Sequence, residues 1–123
     1  MRVNSKLCMK KDLGLNNNLF GGTMLAWLDE ASFIYANKVT DGKYQLVTKL
    51  FGEILFNKAV KEGDIVDFFC SNCHFGNSSI AFDIEVSIGK ETVFKTSAIF
   101  VAVDNDGHKV HIQEADRIYK NEK

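Results

Sequence analysis

Residues 21–38, GGTMLAWLDEASFIYANK, predict the one long helix of this chain. The helix is apolar on nearly all sides, so we expect the rest of the protein to enclose it. Turn residues at positions 40–42 end it. Within residues 13–37 the only charged side chains are Asp29 and Glu30. Carboxylates in so apolar a segment are either partnered or kept for chemistry, because an isolated buried charge is costly.

After the helix, the hydrophobic pattern changes to a period of two, which is typical of strands. The clearest strand is predicted at residues 79–88, where the apolar face consists of Ile80, Phe82, Ile84, Val86 and Ile88. Further strands are expected at residues 2–10, 46–56, 65–73 and 92–103, with turns at 88–90 and 106–107. The charged tail, residues 113–123, is compatible with a terminal helical turn or with a frayed end.

An apolar helix and a sheet with one apolar face bury each other if the sheet wraps around the helix. We therefore predict an α+β roll of antiparallel hairpins with one buried central helix. At 123 residues, the chain is expected to form a single domain over residues 1–123.

Composition excludes several classes of function. The net charge of −1 gives no reason to expect a nucleic-acid partner, and no apolar stretch is long enough to predict a membrane span. Residues 1–10 lack the apolar core of a signal peptide, and three sparse cysteines fit a reducing compartment, so a cytoplasmic location is expected. Cys70 and Cys73 are three apart in a predicted strand and should face opposite ways, so no metal site is expected there.

The start of the helix is the first candidate for chemistry. Phe20 precedes Gly21 and Gly22, whose missing Cβ atoms allow a ligand to approach the backbone. The first N–H groups of a helix have no internal partner and could hold the oxygen of a carbonyl under attack. From the glycine pair alone, tight packing of the helix start against a strand is the favoured explanation.

Asp29 is the second candidate, as a general base or nucleophile toward a carbonyl carbon. The alternative is a structural carboxylate that is bonded to a strand or faces water at an interface. Asp29 lies eight residues past Gly21, which places it roughly 12 Å away along the helix. If both groups act on one carbonyl, two antiparallel helices of a symmetric dimer must supply them.

Two polar loops are weaker candidates. Asn16 or Asn17 could orient a water or a carbonyl, although turn formation explains most of this Asn run. Gly76, Ser78 and Ser79 could bind an amide-bearing chain, although a hairpin turn explains them as well.

Together these residues resemble the bacterial acyl-CoA thioesterases of the hotdog fold. The matching pieces occur in the family's order over about residues 8–107, and their combined spacing is specific. They are Asp12-Leu13, Leu19-Phe20-Gly21-Gly22, residues 25–31, Val47-Thr48-Lys49, Glu53-Ile54, Gly63-Asp64-Ile65-Val66, Gly76 with Ser78-Ser79, and residues 100–104.

The resemblance implies hydrolysis of an acyl-CoA to a carboxylic acid and free CoA, with Asp29 at the position of the catalytic Asp. It implies that the amides at Gly21 and Gly22 come from the opposite subunit. It also implies dimers that often assemble into hexamers as trimers of dimers. No cofactor is expected beyond the CoA of the substrate itself.

The chain departs from the family at three positions. Gly14 stands where relatives usually carry Asn, so Asn16 or Asn17 is the candidate substitute in the active site. Asn77 stands where relatives often carry a basic residue, and Ala59 replaces a usual Pro.

Two other functions stay open from the sequence. A non-hydrolytic acyl-CoA binding or sensing module of the same fold is the main alternative, because Gly14 weakens the catalytic pattern. A hotdog dehydratase ranks last, because it needs a His near the helix start and His74, His108 and His111 lie elsewhere.

Overall fold

The computed structural model describes residues 1–118 and contains one α-helix on a five-stranded antiparallel sheet of order β1-β3-β4-β5-β2. The elements in chain order are β1 (Arg2–Leu7), a 3-10 turn (Lys10–Asp12), α1 (Gly21–Val39), β2 (Gln45–Phe51), β3 (Ile65–Phe75), β4 (Ser79–Ile88), β5 (Glu91–Val103) and a second 3-10 turn (Glu114–Asp116). The predicted α+β arrangement is confirmed. Within residues 1–118, no helix has the length and apolarity needed to cross a membrane.

Helix α1 lies on the concave side of the sheet and contacts β1, β2, β3 and β5. Its buried side chains recur at helical spacing and are Met24, Leu28, Ala31, Ser32, Tyr35, Ala36 and Val39. The opposite face is open, with Leu25 and Phe33 more than 40% exposed. Within one chain, the expected enclosure of the helix is therefore met on one face only. One curled sheet covers only one side of a helix, and the other side stays available to a partner.

The alternation predicted for residues 79–88 holds through most of β4. Ile80, Phe82, Ile84 and Val86 are buried in the same core as the buried face of the helix. A register shift between Val86 and Ser87 then changes the phase, so that Ser87 is buried and Ile88 only partly so.

Two strands end earlier than their apolar patterns predict. β1 stops at Leu7, because the chain turns into a 3-10 turn in which the Asp12 carboxylate accepts the Met9 N–H at 2.9 Å. The Lys11 ammonium and this amide lower the pKa of Asp12. β2 stops at Phe51, and the next residue, Gly52, donates to the carbonyl of Ser97 as the chain leaves the sheet.

The structure also corrects the reasoning about Cys70 and Cys73. A bulge in β3 places Asn72 in the left-handed region at φ 57°, so the side-chain alternation slips by one residue. As a result Cys73 packs against the same core as the fully buried Cys70 instead of facing the other way. The last turn, Glu114–Asp116, provides a helical turn in the tail, and residues 119–123 lie outside the described part of the chain.

The aromatic centre of the core should dominate the stability of this fold. Phe82 is 2% exposed, with its ring centroid 4.8 Å from that of Tyr35 and 6.0 Å from that of Phe100. We expect Phe82→Ala to lower the free energy of unfolding by about 3–5 kcal/mol, because it leaves a cavity at a site that cannot collapse freely. Leu15→Ala, at a fully exposed side chain, serves as the control and should change it by less than about 0.5 kcal/mol. Denaturant titration measures both, and similar values would contradict this view of the core.

Candidate active site

Asp29 lies on the open face of α1 and is held by β2. The Thr48 hydroxyl donates to Asp29 Oδ1 at 2.7 Å. Both side chains are exposed in the single chain. The Asp29 carboxylate is therefore hydrogen-bonded to a strand and still accessible to a ligand. Thr48 was not recognised as a site residue from the sequence. The signal was present, since Thr48 belongs to one of the segments that carry the family resemblance.

The adjacent carboxylate points elsewhere. Glu30 forms an ion pair with Lys6 of β1, with 2.7 Å between Nζ and Oε1. Successive helix positions are about 100° apart, and β1 and β2 are the two opposite edges of the sheet. Glu30 is thus occupied by a strand partner, whereas Asp29 opens into the groove beside β2.

That groove has a volume of about 640 Å³, and its lining is mostly apolar, with two carboxylates, of which Glu30 is paired with Lys6. Its lining consists of Ala26, Asp29, Glu30, Phe33, Ile34, Leu46, Val47, Thr48 and Phe100. Because β2 is an edge strand, one side of the groove lacks a wall within residues 1–118.

The start of α1 presents backbone donors. Phe20 is the N-cap residue, and its carbonyl accepts the N–H groups of Thr23 and Met24. The N–H groups of Gly21 and Gly22 have no acceptor within the described residues. A Cβ at Gly21 would have no atom within 4 Å, so packing inside the chain does not require glycine there. The simple packing explanation therefore fails for Gly21, and the space beside its amide is open to a ligand or a partner.

The Phe20 ring is packed between two glycines. A Cβ at Gly14 would lie 3.3 Å from Phe20 Cδ1, and one at Gly22 would lie 3.0 Å from Phe20 Cε2. Phe20 is still 60% exposed, so one face of the ring remains available at the helix start. Gly14, which stands where relatives usually carry Asn, thus lies closely packed against the Phe20 ring.

A second cavity of about 230 Å³ lies beside these amides. It is lined by Asn18, Leu19, Gly21, Met24, Phe56, Lys58, Ala59 and Val60. This cavity shares no residue with the Asp29 groove, which agrees with the roughly 12 Å that separates Gly21 from Asp29 along the helix. One chain therefore carries two separate halves of a possible site.

The Asn loop mainly builds a turn. Asn17 adopts a left-handed φ of 62° and donates to the Gly14 carbonyl, while the Asn18 carbonyl accepts from Gly14. The Asn18 side chain accepts from Lys61 Nζ at 3.1 Å. Asn16 is exposed, and no contact of its side chain is seen within residues 1–118, so it remains the candidate for a polar role in the site.

The turn between β3 and β4, residues 76–79, lies near the same end of the sheet as Thr48. Gly76 donates to the Ser79 carbonyl, and the buried Ser78 accepts from Ala102 through its carbonyl. Across the sheet, Ile80 pairs with Phe100, which pairs with Thr48. The turn is thus about two strand spacings, ~10 Å, from the partner of Asp29.

One group of possible metal ligands occurs within the described residues, formed by Asp104, Asp106 and His108. All three are exposed, and Asp104 Oδ1 accepts the N–H groups of the other two residues. These contacts give Asp104 a role in building the turn after β5.

Comparison with known proteins identifies the family. A family model described as the thioesterase superfamily matches residues 16–95, so the chain belongs to this superfamily. It is 31% identical over 110 residues to the acyl-CoA thioester hydrolase YciA of Salmonella typhimurium, covering 82% of this chain and 81% of YciA. A hexameric thioesterase of Yersinia pestis superposes with a TM-score of 0.83 at 28% identity, covering 93% of this chain and 96% of that one. An acyl-CoA hydrolase of Staphylococcus aureus, solved with butyryl coenzyme A and coenzyme A, gives a TM-score of 0.78 at 25% identity, covering 98% of this chain and 71% of that one.

The different contacts of the two adjacent carboxylates generate a paired prediction. Thr48→Val keeps the side-chain shape but removes the hydrogen bond to Asp29, so we expect kcat for thioester hydrolysis to fall about ten-fold. Glu30→Gln breaks only the pair with Lys6 and should keep kcat within about two-fold, because exposed ion pairs contribute little. Release of free thiol from acyl-CoA measures both, with native mass spectrometry as the check on assembly. An equal loss of kcat in the two variants would refute the assignment of different roles to Asp29 and Glu30.

Proposed function

We propose that this protein hydrolyses acyl-CoA to a carboxylic acid and free CoA at sites shared between two copies of the chain. The observation that carries this proposal is the separation of the two half-sites. The unpartnered amides at Gly21 and the carboxylate of Asp29 lie on one helix, yet they are too far apart to act on one carbonyl. Two antiparallel copies of α1 place the helix start of one chain beside Asp29 of the other.

Asp29 is proposed as the general base. Thr48 occupies its Oδ1, which leaves Oδ2 to accept a proton from water. The water oxygen then bonds to the thioester carbon, and the amides of Gly21 and Gly22 hold the negative charge that develops on the carbonyl oxygen. When the C–S bond breaks, the proton held by Asp29 passes to the CoA sulfur. The reaction consumes only the thioester and one water, and Asp29 ends in its starting form.

The open face of α1 and the edge of β2 are the proposed dimer contact. Leu25, Phe33, Val47 and Leu50 are each more than 40% exposed there, and the outer edge of β2 is unpaired within residues 1–118. An exposed strand edge beside an apolar patch favours pairing with a second chain. A trimer of such dimers is the proposed full assembly, supported by the hexameric Yersinia pestis relative.

The acyl-CoA is proposed to extend from this shared centre toward the turn at residues 76–79. Asn16 and Phe20 belong to the loop that leads into the helix start and are proposed to contact the reacting end of the substrate. Asn17 shapes that loop through its left-handed backbone. Gly76, Ser78 and Ser79 are proposed to contact the amide-bearing arm of coenzyme A.

Replacing the base tests the mechanism. Asp29→Asn keeps the shape of the side chain and its acceptor for Thr48 but removes the charge that takes the proton. We expect kcat to fall by at least about 10²-fold, while the fold and the affinity for coenzyme A are retained. Thiol release and calorimetric titration with coenzyme A measure the two effects separately. Turnover near that of the wild type would rule out Asp29 as the base. A wild-type chain that binds acyl-CoA without releasing thiol would instead identify the non-hydrolytic binding module.

Mixing two inactive variants tests the shared site. Asp29→Asn removes the base, and Gly21→Val adds a side chain beside the helix-start amides, where a Cβ meets no atom within 4 Å. In a mixed dimer, one of the two sites carries both substitutions and the other site carries neither. We expect activity to return on subunit exchange, up to roughly half that of a wild-type dimer if the sites act independently.

Native mass spectrometry should confirm both the exchange and an assembly built from 13.8 kDa chains. Full exchange without any return of activity would contradict the shared site.

A further inference from the structure

The segment after β5 is tied to the far end of the helix. Ile118 N–H donates to the carbonyl of Val39 at 2.8 Å, and Gln113 N–H donates to the Tyr44 hydroxyl at 2.9 Å. Asp116 accepts from Tyr44 and, at 3.1 Å, from Lys43. The hydrogen bond from Tyr44, followed by the one from Lys43, lowers the pKa of the Asp116 carboxyl.

From this anchored segment Arg117 reaches the turn between β3 and β4. Its Nη2 donates to the Gly76 carbonyl at 2.9 Å and makes a longer 3.5 Å contact with that of Asn77. Its Nε donates to the Ile112 carbonyl at 3.1 Å, and the guanidinium lies 5.3 Å from the centroid of the Phe75 ring. Its planar group thus joins the last residue of β3, the turn and the C-terminal segment.

The C-terminal segment also contacts the turn at Asn77. The Ile112 N–H donates to the Asn77 carbonyl at 2.9 Å, and His111 Nδ1 lies within hydrogen-bond distance of Asn77 Oδ1. Within the turn itself, the backbone bond from Gly76 to Ser79 is the closing contact. Gly76 and Asn77 are exposed, and the C-terminal segment holds their carbonyl groups from outside the turn.

We propose that Arg117 is a positioning residue, which fixes the backbone of the turn at residues 76–79 for the amide-bearing arm of coenzyme A. This inference rests on the proposed function, because the turn lies about 10 Å across the sheet from Thr48. An extended arm that starts at the thioester beside Asp29 reaches that distance. The arm's amides need backbone partners in a fixed orientation. If the turn is already ordered, binding does not lose the conformational entropy of ordering it.

Arg117 acts through the turn and not through the overall fold. The segment retains its hydrogen bonds to Val39, Tyr44 and Asn77 when the guanidinium is removed. Loss of Arg117 should therefore loosen the turn locally and weaken binding of the CoA arm. It should leave the chemistry at Asp29 unchanged.

The test uses Arg117→Gln and the more conservative Arg117→Lys in the full-length assembly. Arg117→Gln should raise KM for butyryl-CoA and Kd for coenzyme A about ten-fold, with kcat changed less than two-fold. Arg117→Lys should recover part of this loss. An ammonium can donate to one of the carbonyl groups, but it cannot reach both as the Nε and Nη2 groups of the guanidinium do. Lys43→Met is the matched control, since it removes a contact of the same segment with Asp116 and leaves the turn untouched. Its KM should equal that of the wild type.

Hydrogen exchange separates failure of this inference from failure of the proposed function. Exchange of the Gly76 and Ile112 amides should be faster in Arg117→Gln, and exchange in the middle of β4 should stay unchanged. Unchanged exchange at the turn would overturn the positioning role. Faster exchange with an unaltered KM would show that the turn is braced but does not bind substrate, and would also overturn the inference while leaving the hydrolysis intact. A wild-type protein that neither hydrolyses butyryl-CoA nor binds coenzyme A would overturn both proposals.

Discussion

The orientation of α1 about its own axis decides which of its polar side chains face the open groove beside β2. Burial of Leu28, Tyr35 and their neighbours against the sheet leaves the helix one favourable orientation. That orientation places Asp29 beside Thr48 of β2 and turns Glu30 toward Lys6 of β1. Two adjacent carboxylates therefore receive different surroundings from the same packing. One is committed to an ion pair, and the other is oriented by a hydroxyl and left open to a groove.

One-sided coverage of the helix has a second consequence. The apolar residues Leu25 and Phe33 of the open face and the unpaired edge of β2 lie on the side of the helix that the sheet leaves uncovered. The same surface carries Asp29, while the donors at Gly21 lie two helical turns away. In the proposed dimer, one contact between two chains would bury the apolar face and complete the site.

The two polar loops differ in what holds their backbone: the loop before the helix is held by its own contacts, and the turn at residues 76–79 is held from another segment. Asn17 and Asn18 close the loop before the helix through backbone contacts with Gly14. The turn at residues 76–79 has fewer contacts of its own and is braced by Arg117 from a segment 40 or 41 residues further along the chain. Such a division is common where a rigid sheet presents loops to a ligand.

The local properties of this fold could be read directly from the amino-acid order. Helical and strand periods and the glycine turns depend only on residues near one another, so the helix and most of β4 were predictable. The separation of roughly 12 Å between Gly21 and Asp29, on which the proposed two-chain site rests, follows from helix geometry in the same way. The bulges at Asn72 and Ser87 were not predictable, because each depends on pairing with another strand and reverses the side-chain phase beyond it. Likewise Thr48 meets Asp29, and Arg117 meets Gly76, across separations of 19 and 41 residues. Only the register of the folded sheet and the course of the C-terminal segment bring these pairs within hydrogen-bond distance, because no local pattern encodes which distant side chains will meet.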